Sequence, residues 1–362
     1  MSKTIKWVFV LAALVFCGAA MAGVIQYEPG ALGAMAFAAA GNTAPFDSNP
    51  RLTQIAMAVK PQGMIADLVC PRVPVDGEKF IYSKLESADL FNIPDTNIGR
   101  TSEPNQVDFG ATDVPDKITD QGLDSFVPNR DQKVADAQQT NFKPFAVAAE
   151  GTAILVELAR EKRVADLYSN PATYHASLRV ALAGNDQWSD YANSDPYAAI
   201  MDALDGMLVR PNIFTMGRKV FTKLRSHPSI VAAVLNNQGD IAGGAAAKGS
   251  VTRKALADLL ELDEVYVGEA FYNAAKKGQA ANMARLWGNH AALLRIDRNV
   301  RSTEGFVLPT FAMTAQWMDR FVTTIPEPKR GALGGNTVRV VEFVKEIVTF
   351  QEGGYLFQNA VA

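Results

Sequence analysis

The residues able to do chemistry are few and scattered. His175, His227 and His290 are the three histidines in 362 residues, and none has a carboxylate or cysteine at metal-ligand spacing. His227 precedes Pro228 and reads as a helix stop, while His290 sits in an apolar run. Cys17 and Cys70 form neither a disulfide framework nor a zinc pattern. Residues 239–249 are rich in small side chains but lack the Lys-Ser/Thr ending of a phosphate-binding loop. No Gly-x-Ser-x-Gly nucleophile elbow occurs. Met201, Met207, Met216 and Trp317 fit core packing better than a cofactor pocket. The expectation is a protein with no catalytic, cofactor-binding or metal-binding residues, and therefore not an enzyme.

The elements that would carry any function divide into contrasting regions. Apolar residues make up 48% and charged ones 20%, so a sizeable core is available. A net charge of −3 gives no overall basic footprint for tight binding to nucleic acid. Residues 79–84 read as a short strand, 92–105 as a run of turn formers, and 106–112 as a returning strand. From 141 the pattern turns helical. Val147, Ile154, Leu158 and Ala165 fall on one face, Thr140 or Asn141 can cap it, Pro144 is tolerated in its first turn, and Asn170-Pro171 ends it. About 25 residues at 1.5 Å each give a rod of roughly 38 Å. Further helices are expected over 52–59, 196–208, 219–225 and 252–260, and strands over 174–180, 213–216, 264–268 and within 284–295. The last fifty residues are apolar and strand-rich. A body that closes on its C-terminal stretch and holds out a long polar arm suggests assembly with copies of itself.

The N-terminal stretch has its own signature. Lys3 and Lys6 precede an uncharged run over 7–25, and Ala20-Met-Ala22 offers a small-x-small cleavage site, the pattern of a secretory signal or anchor. Residues 1–41 are therefore set apart as an apolar, signal-like or removable segment. An exported, membrane-tethered binding protein is the function this segment alone would predict.

Several stretches form an ordered series: Ile65-Ala-Asp-Leu-Val-Cys-Pro-Arg-Val-Pro-Val, Pro94-Asp-Thr-Asn-Ile-Gly-Arg, Pro104-Asn-Gln-Val-Asp-Phe and Ala183-Gly-Asn-Asp-Gln-Trp-Ser-Asp. They continue with Arg210-Pro-Asn-Ile-Phe-Thr-Met-Gly, Ala257-Asp-Leu-Leu-Glu-Leu-Asp-Glu-Val-Tyr-Val-Gly, and the ending around Gly354-Tyr-Leu-Phe-Gln-Asn-Ala-Val. Taken in this order they resemble tailed-phage major capsid proteins. The resemblance implies an α+β, Hong Kong 97-like capsid fold. It divides the chain into an N-arm (42–76), an extended hairpin loop (77–130), a peripheral domain with a long spine helix (131–192 and 306–362) and an axial α/β domain (193–305). It further implies self-assembly into pentamers and hexamers of an icosahedral head enclosing double-stranded DNA without sequence-specific binding. Scaffold, portal, protease and decoration proteins are the implied further partners, and the host cytoplasm the implied site of assembly. An encapsulin-like compartment shell is the alternative within the same resemblance.

On that view the charged residues are candidates for contacts between copies. Asp89, Asp95, Glu103, Asp108, Asp113, Asp116, Asp120 and Asp124 make the 77–130 segment acidic. Asp95, Arg100, Glu103 and Asp108 are the candidates on the loop, and Arg160, Lys162 and Arg163 on the long helix are the candidates to receive them. Single exposed pairs contribute about 0–1 kcal/mol, but repetition through a shell sets register. A solvated acidic face is the competing reading. Arg295, Arg298 and Arg301 form a short basic cluster that would meet DNA, a neighbour or solvent. Lys79 and Lys84 lie where some relatives crosslink, with no acceptor identified.

Overall fold

Proline opens four of the helices, where its missing N–H and fixed φ suit the first helical position. The computed structural model describes residues 47–58, 63–85, 93–106, 111–138, 142–237, 249–276, 278–298 and 310–362. All belong to the unit spanning Phe46–Ala362. The helices are α1 (Pro50–Ala58), α2 (Ala66–Val69), α3 (Asn129–Ala137), α4 (Pro144–Ser169), α5 (Pro196–Gly206), α6 (Arg218–Leu224), α7 (Pro228–Asn237) and α8 (Arg253–Leu259). The strands in the first part of the chain are β1 (Asp47–Ser48), β2 (Arg72–Pro74), β3 (Lys79–Leu85), β4 (Ala111–Lys117), β5 (Thr119–Pro128), β6 (Arg179–Ala181), β7 (Ile213–Gly217) and β8 (Glu264–Gly268). The remainder are β9 (Phe271–Asn273), β10 (Met283–Arg285), β11 (Ala291–Leu294), β12 (Ala312–Gln316), β13 (Phe321–Glu327), β14 (Gly335–Val348) and β15 (Gly354–Gln358).

These form an α+β fold around two sheets. The six-stranded sheet runs β1-β13-β14-β12-β2, with β5 also paired to β14. The five-stranded sheet runs β6-β15-β11-β7-β8. Two separate hairpins, β3–β4 and β9–β10, complete the topology. Strand β14 alternates buried and half-buried positions along most of its 14 residues, the period-2 pattern of a strand packed on one face. Its buried Val338 and Val340 meet Ala149, Ala153 and Val156 of α4 and Leu52 and Ala56 of α1 in one apolar cluster. A second cluster fills the five-stranded sheet and its helices, from Trp188 and Ile200 to Phe214, Leu224, Leu256 and Phe357. A third, with Val69, Val164, Tyr168, Trp287 and Phe311, joins the two sheets.

Several local expectations shift. The long helix spans 26 residues and begins at Pro144, with Lys143 as an N-cap that makes no side-chain hydrogen bond. Thr140 and Asn141 lie outside the described residues. The expected apolar face is met only in its second half: Ala165 is buried and Leu158 packs partly buried on the core, but Val147 is 48% and Ile154 36% exposed, as is Leu155 at 54%, while Ala149, Ala153, Val156, Arg160, Glu161 and Val164 point inward. The strand returning from the loop is Ala111–Lys117 rather than 106–112, paired antiparallel with β3 so that Pro115 opposes Ile81. A two-stranded hairpin has open edges, and there a proline leaves no ladder hydrogen bond unmade. Residues 119–128, counted with the loop, pair along ten positions with β14. The helix expected over 219–225 does stop before His227-Pro228, at Leu224, and Pro228 also opens a further helix, α7. The strand expected over 174–180 is Arg179–Ala181, preceded by a buried Tyr174. The glycine-rich stretch 238–248, Arg301 and residues 1–41 lie outside the described residues. No described helix is long and apolar enough to cross a membrane.

Candidate subunit interface and the buried ion network

The loop candidates lie on an exposed tip. Residues 93–106 are all exposed, with Ile93 at 93% and Ile98 at 59%. The tip is shaped by its own polar groups: Asn97 N–H donates to Asp95 Oδ1 at 2.9 Å, Asn105 Nδ2 donates to the Asp95 carbonyl at 2.9 Å, and Ser102 N–H donates to the Gly99 carbonyl at 3.1 Å. Asp95, Arg100 and Glu103 form no ion pair among the described residues, and Asp108 falls outside them. Deeper in the same segment the acids are already held by the chain. Arg339 grips both Asp124 oxygens at 2.7 Å, Lys345 pairs with Asp116, and Lys117 meets Glu78 at 2.9 Å.

The helix candidates are placed differently from one another. Arg160 is fully buried rather than exposed to a neighbour. Its guanidinium bonds Asp67 and donates to the Cys70 carbonyl and Thr314 Oγ1, each at 3.1 Å. Arg163, half-buried, clasps Glu346 at 3.0 and 3.1 Å and reaches Gln121 at 3.3 Å. Lys162 pairs with Asp166 one turn on. The structure therefore does not bring Asp95, Arg100 or Glu103 to the long helix of the same chain. It sends Arg160 and Arg163 into an internal network.

That network joins three stretches far apart in sequence. Arg72 meets Asp67 at 3.0 Å, Glu157 at 3.3 Å and Glu342 at 3.4 Å. Arg320 bonds Glu342 at 2.8 Å and also pairs with Glu157. Glu161 accepts from Ile65 N–H (2.9 Å), Ala66 N–H (2.8 Å) and Trp287 Nε1 (2.6 Å). Burial raises the Glu161 pKa, and these three donors only partly offset it. Burial pulls the same way at Asp67, but there Arg160 and Arg72 outweigh it and hold the carboxyl below its ordinary value. Cys70, buried beside Thr314, has its thiol pushed up to about 11 by desolvation and is unreactive on that account. Over these charges lies an open cleft of about 490 Å³ with Met57, Met64 and Leu68 at its apolar side. Chemically the arrangement clamps. It fixes the segment carrying α2 and β2 against α4 and the C-terminal strands, and every carboxylate in it is already bonded.

Glu157, Glu161, Glu342, Glu346, Asp67 and Arg320 carry no mark in the sequence that groups them as a set. The one available signal was on α4, where Glu157, Arg160, Glu161 and Val164 share a helical face at spacings of three and four. The histidines behave as expected of structural groups. His227 is buried between Ser194 (3.1 Å) and Ser229 (2.8 Å), and His290 Nδ1 accepts from Asn359 N–H at 3.3 Å. Burial lowers the pKa of both. Among the described residues no group of three or more His, Cys, Asp or Glu could hold a metal ion.

Comparison with known proteins gives this clamp and loop a context. The family model for phage major capsid protein E matches residues 173–281. The chain is 44% identical over 321 residues to a major capsid protein of Pseudomonas phage JBD67, covering 89% of this chain and 99% of that protein. It is 25% identical over 251 residues to a major capsid protein of Burkholderia phage BcepMu, covering 68% and 75% respectively. A crystal structure of a phage-related protein from Bordetella bronchiseptica shares the fold, with a TM-score of 0.65 and 21% identity over 87% of this chain and 98% of that one. By its 44% identity across nearly all of that relative's length, this chain belongs to the phage major capsid proteins, with their Hong Kong 97-like fold.

Proposed function

We propose that the chain assembles through pentamers and hexamers into an icosahedral phage head enclosing double-stranded DNA. In that reading the N-arm is 42–76 and the extended loop 77–130, with β5 tying the loop back to the main sheet. The peripheral domain is 131–192 and 306–362, with α4 as its spine, and 193–305 form the axial domain. The observation that carries the reading is the 44% identity to a phage major capsid protein over 89% of the chain. The exposed tip at 93–106, with two isoleucines in water and no ion pair among the described residues, supports a role in reaching another copy. Asp95, Arg100 and Glu103 are its polar contacts, and Asp108 follows them in sequence. Lys162 is the candidate on α4 that retains exposure, at 37% of its side chain. Assembly takes place in the host cytoplasm, with scaffold, portal, protease and decoration proteins as partners, and DNA is held without sequence preference.

The test is expression in a bacterial cytoplasm of the full-length chain and of a chain beginning at Gly41, followed by sizing and negative-stain microscopy. Rings or closed shells are expected. Monomers from both chains at high concentration would overturn the reading.

A further inference from the structure

We infer that copies of this chain meet head to tail through the two oppositely charged ends of the β7–β8 strand pair. The inference rests on the self-assembly reading above and adds the surface that mediates it. The two strands run parallel, with Ile213 beside Glu264 at one end and Gly217 beside Gly268 at the other. Residues before the strands therefore collect about 13 Å, at 3.3 Å per residue, from residues after them.

The end after the strands is basic. Arg218 and Arg253 share one carboxylate oxygen of Glu269, at 2.9 and 2.5 Å. Their guanidiniums and that of Arg225 surround the Phe221 ring at 5.8, 5.7 and 5.6 Å from its centroid. Arg225 bonds Ser250 at 2.9 Å and has no carboxylate partner among the described residues. Lys219 and Lys254, both exposed, add to the same end. Glu269 and the Ala362 oxygen, which takes Lys219 at 2.5 Å, cannot balance these five cations, so the surface retains a positive field.

The end before the strands is acidic. Asp258, Glu261, Asp263 and Glu264 fall within seven residues and are all exposed. Arg210 holds Glu261 at 2.7 Å. Asp258, Asp263 and Glu264 have no ion-pair partner among the described residues. Arg295 and Arg298 lie nearby, in the lining of an adjacent cleft that also includes Asp297. Among the described residues acids still outnumber bases there, five to three.

The two ends lie at opposite ends of the parallel strands and face away from one another, so a contact of the basic end of one copy with the acidic end of the next is heterologous, and a two-fold contact through either end alone would set like against like. Where its rotation closes, such a contact repeated around an axis makes a ring. A nucleic acid would use the basic end and leave the acidic end without a role.

The test reverses each end with substitutions that suit the local helix. Arg253→Glu with Lys254→Glu puts carboxylates in the first turn of α8, and Asp258→Lys with Asp263→Lys puts a cation in its last turn, both favoured by the helix dipole. The full chain, each reversed variant and the variant with both ends reversed are compared by sizing and negative stain at about 0.05 M and about 0.5 M salt. Each single-end reversal is expected to lower the assembled fraction about tenfold at low salt, and reversal of both ends to restore it. Single-end variants that assemble as the parent does would overturn the inference, as would failure of the doubly reversed variant to recover. Normal shells that merely retain less nucleic acid when the basic end is reversed would also overturn it, assigning that end to the packaged polyanion. A parent chain that never assembles would instead remove the self-assembly reading, and the inference with it.

Discussion

Arg160 lies wholly inside the protein, and its partners come from two distant stretches, Asp67 and the Cys70 carbonyl on one side and Thr314 on the other. The Asp67 side chain is 56% exposed and can be hydrated, so removing Arg160 acts mainly by stranding the buried Cys70 carbonyl and Thr314 hydroxyl, at about 1–3 kcal/mol for each buried polar group left unpaired. Arg160→Ala is therefore expected to lower the thermal midpoint sharply, and a variant that melts like the parent would show the network to be dispensable. The two acids nearby respond to pH with opposite sign. Asp67 has a folded pKa below its ordinary 3.8, so its contribution is present above that value and is lost as pH falls through the folded pKa. Glu161 has a folded pKa above its ordinary 4.5, so its contribution is complete below that value and is lost as pH rises through the folded pKa. Melting curves between about pH 3 and pH 6 should show Asp67→Asn flattening the acid-side loss of stability. An unchanged acid limb in that variant would place the loss elsewhere.

Helix α4 shows what a single sequence can and cannot convey at the scale of elements. Its length and its C-terminal end followed from Asn170-Pro171, which act on the backbone locally, while its start lies at Pro144, beyond the caps expected at Thr140 or Asn141. Its buried face followed only at Leu158 and Ala165, because the helix is apolar over much of its circumference. Small residues decide the matter: Ala149 and Ala153 let α1 and the sheet come close, so the bulkier Val147, Ile154 and Leu155 turn outward. The same limit applies to the ion network. Arg160 and Arg163 stood out on their helix, but their partners Asp67, Glu342 and Glu346 are distant in sequence and carry no local mark of pairing. Strand β8 was readable from its residues alone, whereas β4 lies further along the chain than the alternating run over 106–112 suggested and includes Pro115. Close backbone approach makes a sharper prediction. A Cβ at Gly217 would collide with the Gly288 carbonyl oxygen, so Gly217→Ala should cost about 1–3 kcal/mol in a denaturant titration. Arg339→Ala breaks only an exposed pair with Asp124 and should cost no more than about 1 kcal/mol in the same titration. Equal losses in the two variants would contradict the packing account.

At the scale of the whole molecule, the protein separates a clamped interior from unpartnered projections. The clamp holds the α2–β2 segment to α4 and the C-terminal strands, while Ile93 and Ile98 sit exposed on the tip of the long loop. Changing both to Asp should leave the thermal midpoint of the free chain unchanged and reduce the yield of assembled particles, read by sizing chromatography. A fall in the midpoint of the free chain would mean that the tip serves its own fold. The most direct measurement is an electron cryomicroscopy map of assembled particles. The account predicts that residues 93–106 are covered by another copy while Arg160 remains bonded to Asp67 of its own chain. A map in which the tip stays in solvent, or in which Arg160 has turned to a neighbouring subunit, would contradict it.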